Sequence, residues 1–137
     1  MKNYVQISNI IKKFNRVITV QGDKSISIRW ALMASQAVGK SRANNLLKSE
    51  DVESTLTALK KLGVKVLKNK KYCEIIGKGL NSYNFRNNTI INAGNSGTLA
   101  RLILGLLSNS NKSVIIKGDK SLSKRDFSRI IKPLNIF

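Results

Sequence analysis

The hydrophobic positions of the chain switch repeatedly between alternation, which is typical of strands, and three-to-four spacing, which is typical of helices. Apolar residues alternate over 4–11 and 16–21, which predicts two short strands around a basic turn. From Ser25 the spacing becomes helical, and Gly39 is the predicted stop. The residues predicted to form the buried stripe of this helix are Ile26, Trp30, Met33, Ala34 and Ala37.

A second helix is predicted after a short strand at 41–47. Ser49 suits the N-cap, acidic residues fill the first turn, and Gly63 suits the left-handed position after the last turn. Its predicted apolar face consists of Val52, Leu56, Leu59 and Leu62. Four of the seven acidic residues lie within 50–74, and we interpret them as structural rather than catalytic.

Turn residues and apolar spacing also predict a hairpin, two further strands and a third helix. The runs 64–67 and 72–76 flank a lysine-rich turn and predict a β-hairpin. A polar loop at 78–88 leads to a strand that begins near Thr89, and a further strand is predicted at 113–117. The helix between these two strands has a predicted face of Leu99, Leu102, Ile103 and Leu106.

A last helix carries Phe127, Ile130, Ile131 and Leu134, and Ser123 with Asp126 forms a Ser-x-x-Asp box that is expected to cap it. The element order, in which strands and helices alternate, predicts an α/β protein. At 137 residues the chain has the size of one ordinary domain or of a piece of something larger.

Charge narrows the choice of partner. The 25 lysines and arginines outnumber the 7 acidic residues and give a net charge of +18. This balance favours an anionic partner, which could be a phosphorylated metabolite, a nucleic acid or an acidic surface.

The absence of some residue types excludes whole classes of chemistry. The sequence has no histidine, so Ser-His-Asp and Cys-His nucleophile arrangements are excluded and zinc or iron sites are disfavoured; we expect no metal and no cofactor. Cys73 is the only cysteine, sits in a strand-like run and is expected to be a small buried residue. No stretch resembles a signal peptide or a membrane span, so a cytoplasmic location is expected.

The first candidate for chemistry is the turn that ends in Lys24, Ser25 and, one helical turn later, Arg29. Amides at a helix N-terminus attract anions, and these side chains add an ammonium, a hydroxyl and a guanidinium, so they could converge on one dianionic group. The structural alternative is an ordinary helix cap with a solvated charge. The turn is not a Walker A loop, because Asp23 separates the glycine from the lysine.

Two later stretches extend this pattern. The glycine-rich turn at 92–98 joins a strand to a helix, and Thr98 and Arg101 are predicted to face one side of that helix; the alternative is a simple connecting turn. The segment 118–125 nearly repeats 22–29, from Gly-Asp-Lys-Ser to the final arginine. Such a repeat suggests a duplicated unit that brings a basic turn to one side of the fold.

Taken together, the stretches 22–29, 45–52, 92–101 and 118–122 resemble the 5-enolpyruvylshikimate-3-phosphate (EPSP) synthase family in order and spacing. The resemblance covers nearly the whole chain, but the family's proteins are about three times as long. It therefore implies an N-terminal portion of an enolpyruvyl transferase-like fold, an inside-out α/β barrel of repeated βαβαββ units. Residues 1–20 would then be strands of the opposite domain. Residues 21–137 would be an incomplete first domain, with unit one at about 21–80 and the start of unit two at about 88–137.

The resemblance also implies an activity and a set of roles. The family transfers the enolpyruvyl group of phosphoenolpyruvate to the 5-hydroxyl of shikimate 3-phosphate, releases phosphate, and is monomeric. By resemblance, Lys24 would bridge both substrates, and Ser25 and Arg29 would bind shikimate 3-phosphate. The residues implied for phosphoenolpyruvate are Asn95, Gly97, Thr98 and Arg125, with Arg101 beside them.

Two departures from the family pattern are Ile28, in place of a polar residue, and Asp126, in place of a proline. The resemblance places the proton-transferring carboxylate beyond Phe137, so the 137-residue chain is expected to bind poorly and not to turn over. As half a domain, it is expected to aggregate or to be molten. The alternatives are an inactive paralogue and a stand-alone nucleic-acid-binding module, although the few aromatic residues are not interleaved with the basic runs.

Overall fold

The computed structural model describes residues 17–136 and, before them, Gln6, Ser8, Lys13 and Asn15. The described elements are α1 (Lys24–Gln36), β1 (Val38–Asn44), α2 (Glu50–Lys61), β2 (Lys65–Lys68), β3 (Tyr72–Lys78), β4 (Thr89–Asn92), α3 (Gly97–Leu107), β5 (Val114–Lys117), a 3₁₀ turn (Leu122–Lys124) and α4 (Ser128–Leu134).

Helix α2 forms as its sequence predicts. The Ser49 side chain accepts a hydrogen bond from the amide of Val52, and Gly63 adopts a φ of +83° just after the last turn. The predicted apolar face is buried, with Val52, Leu56, Leu59 and Leu62 at most 3% exposed. The capping residues and the amphipathic spacing specify the same helix, so α2 could be predicted from local sequence alone.

The predicted hairpin is also confirmed. Strands β2 and β3 pair antiparallel, and the Asn69 side chain accepts from the amides of Lys71 and Tyr72 to hold the turn. Strand β1 adds to the other edge of β3, so the sheet order is β1-β3-β2. Cys73 lies on the covered face of β3 and is 1% exposed, as expected for a small core residue.

The predicted buried stripe of α1 is wrong. Ile26 and Met33 are 68% and 73% exposed, Ala37 is exposed and lies outside the helix, and only Ala34 of the predicted set is fully buried. The helix instead buries Ser27, Ile28, Ala31, Leu32, Ala34 and Ser35. Ser27 and Ser35 can be buried because they bond to other groups: Ser27 accepts from the Leu47 amide, and Ser35 donates to the Leu32 carbonyl and pairs with the Tyr83 hydroxyl. Polarity alone therefore pointed to the wrong face.

The boundary between α1 and β1 also differs from the prediction. The helix ends at Gln36, and Gly39 lies inside the strand with a φ of +93° instead of stopping the helix. The strand predicted at 41–47 starts three residues earlier, at Val38, because its register is set by pairing with β3 from Val38 opposite Lys78 to Asn44 opposite Tyr72.

The second half contains a separate two-stranded parallel sheet, in which β4 pairs with β5 and α3 connects them. Ile91, Leu99 and Ile103 are fully buried and join the same core cluster as α1 and α2. Leu102 departs from its predicted role, since it is 39% exposed. The core is thus continuous across both sheets in the described part of the chain.

The start of α4 and the stretch before α1 also differ from the predictions. Ser123 lies in the 3₁₀ turn and does not cap α4. The N-cap residue Phe127 makes no side-chain cap bond, and the Asp126 carboxylate accepts from the amide and hydroxyl of Ser128 at the helix start. The strand predicted at 16–21 is not seen at 17–21, where Val17 is fully exposed. The strand predicted at 4–11 falls largely outside the described residues. Its placement in an opposite domain stays a prediction.

Candidate functional site

The loops that follow β4 and β5 lie side by side, because carboxyl ends of neighbouring parallel strands meet at one edge of a sheet. Two backbone bonds join them: the Ala93 amide donates to Lys117 over 2.8 Å, and the Asp119 amide donates to Gly94 over 2.9 Å. The glycine-rich turn and the second Gly-Asp-Lys-Ser turn are therefore neighbours in space.

A polar cavity of about 410 Å³ lies beside these loops and extends to the start of α1 and of α2. Residues from four separate stretches of the chain line it: Lys24, Asp51, Asn95, Gly97, Thr98, Arg101 and Arg125. The tertiary fold thus brings Lys24 together with every residue predicted to bind phosphoenolpyruvate.

Lys24 is the first residue of α1. Asp23 caps this helix, since its carboxylate accepts from the Ile26 amide over 2.7 Å. The Lys24 ammonium pairs with the Asp51 carboxylate, with Nζ and Oδ2 3.1 Å apart. A cation from one helix start is therefore held by an anion from the first turn of another.

The start of α3 is shaped for an anion. Ser96 caps it by accepting from the Leu99 amide over 3.2 Å, so its first turn is fixed while the helix N-terminus faces the cavity. A Cβ added to Gly97 would lie 2.7 Å from Nη1 of Arg101 and 2.7 Å from Nη1 of Arg125. Two guanidinium groups therefore flank the same small patch of backbone, an arrangement suited to binding carboxylate or phosphate oxygens.

Each arginine is held by groups around it. Arg125 donates to the Asn95 side-chain oxygen and to the Ser121 hydroxyl. Arg101 donates from Nη2 to the carbonyl of Asp126 over 3.1 Å, and its guanidinium stacks 5.0 Å from the centre of the Phe127 ring. These contacts orient both side chains before any ligand arrives, which lowers the cost of ordering them.

The electrostatics of the cavity favour anions. Three cationic side chains and one carboxylate line it. Beside it, hydrogen bonds from the Ser128 hydroxyl and amide, with smaller help from Arg129 and Arg101, hold the pKa of Asp126 below its usual range. The Asp126 carboxylate is therefore an anion that bonds to Ser128, while the Asp126 backbone carbonyl accepts a hydrogen bond from Arg101.

Ser25 and Arg29 do not line this cavity. Arg29 borders a different, apolar groove of about 570 Å³ together with Met33, Leu80 and Leu102. The reason is helical geometry: Arg29 lies five positions after Lys24, which turns the two side chains about 140° apart. Convergence of Lys24, Ser25 and Arg29 on one group is therefore not seen here, and binding by Ser25 and Arg29 stays a prediction.

Asp51 was missed as a site residue, because we interpreted it as a structural acid in the first turn of α2. That interpretation holds for its helix position but not for its side chain, which faces Lys24. The sequence carried one usable signal, since Asp51 lies within the stretch 45–52 on which the resemblance rests.

The internal repeat has a structural counterpart. Asp119 accepts from the Leu122 amide over 2.7 Å, as Asp23 does from the Ile26 amide over the same distance. The first copy opens a long α-helix, whereas the second opens only the 3₁₀ turn. Both copies place a cation in the cavity, Lys24 from the first and Arg125 from the second.

Fold and cavity define an α/β protein with a polar cavity that is lined by three cationic side chains and one carboxylate. The family model of EPSP synthase (3-phosphoshikimate 1-carboxyvinyltransferase) matches residues 8–136, and the chain belongs to this family. The apparent resemblance in sequence is thereby confirmed.

Similar proteins of known sequence and structure support this family assignment. A 3-phosphoshikimate 1-carboxyvinyltransferase from Streptococcus pyogenes serotype M2 is 46% identical over 117 residues, which is 85% of this chain and 27% of that protein. One from Syntrophomonas wolfei is 37% identical over 131 residues, 96% of this chain and 30% of that protein. An EPSP synthase structure from Acinetobacter baumannii matches with a TM-score of 0.80 at 37% identity, over 87% of this chain and 27% of that one.

The chain therefore spans between 27% and 30% of the length of these curated relatives. The predicted fold class is confirmed as part of the enolpyruvyl transferase fold. Among the helices that the structure describes, none is long and apolar enough to cross a membrane.

Proposed function

We propose that this chain forms part of an enzyme that transfers the enolpyruvyl group of phosphoenolpyruvate to the 5-hydroxyl of shikimate 3-phosphate and releases phosphate. The observation that carries the proposal is that Lys24, Arg101 and Arg125 line one cavity, in which the two arginines flank Gly97. Family membership supplies the reaction, and the cavity supplies a place for its anionic substrate.

Phosphoenolpyruvate carries a carboxylate and a phosphate, so it needs more than one cation. Arg101 and Arg125 flank Gly97 and can each present two parallel N–H groups to such an oxyanion. Asn95 and Thr98 line the same cavity and add polar groups beside them. We assign the phosphoenolpyruvate site to Asn95, Gly97, Thr98 and Arg125, with Arg101 as a further ligand.

Lys24, at the start of α1, lines the same cavity. An ammonium has three donors, so it can bond to Asp51 and still reach substrate oxygens. We assign to Lys24 the bridge between both substrates, and to Ser25 and Arg29 the phosphate of shikimate 3-phosphate.

These groups act by electrostatic stabilisation. When the 5-hydroxyl adds to phosphoenolpyruvate and the tetrahedral intermediate expels phosphate, charge stays on oxygens that the fixed cations already contact. The protein needs neither a metal nor an organic cofactor for this step, and we propose a cytoplasmic location and a monomeric complete enzyme. The acid and base of the proton transfers are not among the cavity residues that we assign.

The test is a chimaera in which this chain replaces the matching segment of the Streptococcus pyogenes relative. We expect release of phosphate from phosphoenolpyruvate that depends on shikimate 3-phosphate. Lys24→Ala and Arg125→Ala should each lower kcat/KM by about 100-fold or more, the scale of losing one preorganised electrostatic contact. Lys70→Ala removes an exposed lysine outside the cavity and is the matched control.

Two results would contradict the proposal: a correctly folded chimaera without transfer, or transfer that is indifferent to both cavity substitutions. A basic cleft of about 560 Å³, lined by Lys48, Lys68, Lys70 and Lys71, is where a nucleic acid would bind instead. Such binding would weaken steeply with salt and would be lost on Lys70→Ala and Lys71→Ala, whereas the proposed site would be unaffected by them.

A further inference from the structure

Asp51 stands out because it is the one carboxylate among the residues that line an otherwise cationic cavity. A carboxylate opposes anion binding by simple repulsion, so its position there calls for a compensating contribution. Its side chain is 18% exposed, and its Oδ2 lies 3.1 Å from Nζ of Lys24, whose side chain is 54% exposed.

We infer that Asp51 is a positioning residue that holds the Lys24 ammonium at the wall of the cavity, so that the lysine meets phosphoenolpyruvate already oriented. This inference rests on the proposed function. A lysine side chain has four rotatable bonds, and without a fixed partner a half-exposed lysine samples many rotamers in water. Ordering such a side chain on binding carries a cost that the Asp51 contact removes in advance.

The backbone around Asp51 supports this role. Ser49 caps α2, and the Thr55 hydroxyl donates to the Asp51 carbonyl over 2.8 Å. The anchor therefore belongs to a well-ordered helix start, while the lysine belongs to a different helix. The ion pair also joins the start of α1 to the first turn of α2 at the edge of the cavity.

The same helix offers a matched control. Glu53 also lies in the first turn of α2 and also pairs with a lysine, Lys68, but it does not line the cavity. Asp51→Asn and Glu53→Gln therefore each remove one acidic charge from the helix start and one ion pair. Any effect on helix stability or overall charge should be similar in the two variants.

The decisive experiment is a double-mutant cycle in the chimaera described above, with KM for phosphoenolpyruvate and kcat as readouts. We expect Asp51→Asn to raise KM about tenfold, the scale of ordering one long side chain, and Glu53→Gln to change it less than twofold. In a Lys24→Ala background the additional effect of Asp51→Asn should disappear, because the residue acts through the lysine.

Repulsion alone predicts the opposite sign, since removing a carboxylate would tighten anion binding. An unchanged or lower KM in Asp51→Asn, or a loss that persists in the Lys24→Ala background, would overturn the inference while leaving the proposed function intact. In the same chimaera without substrates, NMR relaxation of the Lys24 Cε should show faster motion in Asp51→Asn but not in Glu53→Gln. Unchanged motion would also overturn it, independently of any activity.

Discussion

Arg101 on α3 donates a hydrogen bond to the backbone carbonyl of Asp126, 3.1 Å away, and so ties the helix to the loop that carries Arg125. The same guanidinium reaches the Gly97 carbonyl at 3.5 Å and stacks on Phe127. One side chain therefore contacts the start of α3 and the loop at 126–127.

We expect Arg101→Lys and Arg101→Ala to loosen the Arg125 loop to a similar extent. Lysine keeps the charge but lacks the planar fork that serves the two carbonyls and the ring. Amide hydrogen exchange at 121–127 should rise in both variants. If Arg101→Lys retained wild-type protection, charge alone would explain the role of Arg101.

Gly97→Ala tests how closely the two guanidinium groups approach the start of α3. The added Cβ would lie 2.7 Å from both arginines, so the flexible side chains must move and the anion site must widen. We expect KM for phosphoenolpyruvate in the chimaera to rise at least tenfold while the chain still folds, because losing one well-placed charged contact costs about 1.5–3 kcal/mol.

Gly105→Ala is the control for this substitution. Gly105 lies in the same helix, and nothing lies within 4 Å of its added Cβ. It should therefore raise the free energy of unfolding by about 0.5–1 kcal/mol through helix propensity and leave KM unchanged. A rise in KM in both variants would point to α3 as a whole instead of to the arginines.

The ion pairs of Glu74 lead us to expect that the free energy of unfolding falls at acid pH. It lies on β3 with its side chain buried, 3.2 Å from both Lys40 and Arg42 on the neighbouring strand. Burial raises the pKa of Glu74, but the two cations outweigh burial and hold the pKa below the ordinary value of 4.5. The contribution to stability is therefore complete above about pH 4.5 and is lost as pH falls through the lower folded pKa.

Urea denaturation of wild type and Glu74→Gln across pH 7 to pH 3 checks this sign. We expect the wild type to be the more stable at pH 7 and the difference to shrink below pH 4.5. A difference that stayed constant over this range would mean that the two cations do not act on the ionised carboxylate.

The apolar groove beside Arg29 leads us to expect self-association of the 137-residue chain in solution. Met33 and Leu80, which line it, are 73% and 78% exposed. We expect Met33→Lys and Leu80→Lys together to reduce self-association in sedimentation velocity with little change in the free energy of unfolding, because neither side chain is in the core. Leu32→Ala, at a position 3% exposed, should instead cost about 2–5 kcal/mol. Unchanged self-association in the lysine variant would contradict this prediction.

Sequence patterns predicted an element correctly where its caps and apolar spacing agree with the face that it buries in the fold. In α2, the Ser49 cap, the acidic first turn, the apolar spacing and Gly63 all specify one helix, and the structure contains it. The hairpin of β2 and β3 followed from its polar turn. In α1 the patterns failed, because the buried face includes two serines beside its apolar residues while Ile26 and Met33 are exposed.

By itself, the sequence determined the α/β element order, the family and the residues that line most of the cavity, because caps, spacing and motifs are local properties of the chain. Only the tertiary structure decided that Asp51 faces Lys24, that Arg29 turns away from the cavity, and that Arg101 anchors the Arg125 loop. These facts depend on how helices pack and on which face each one buries. Such choices are set by contacts between residues far apart in sequence, which no local pattern encodes.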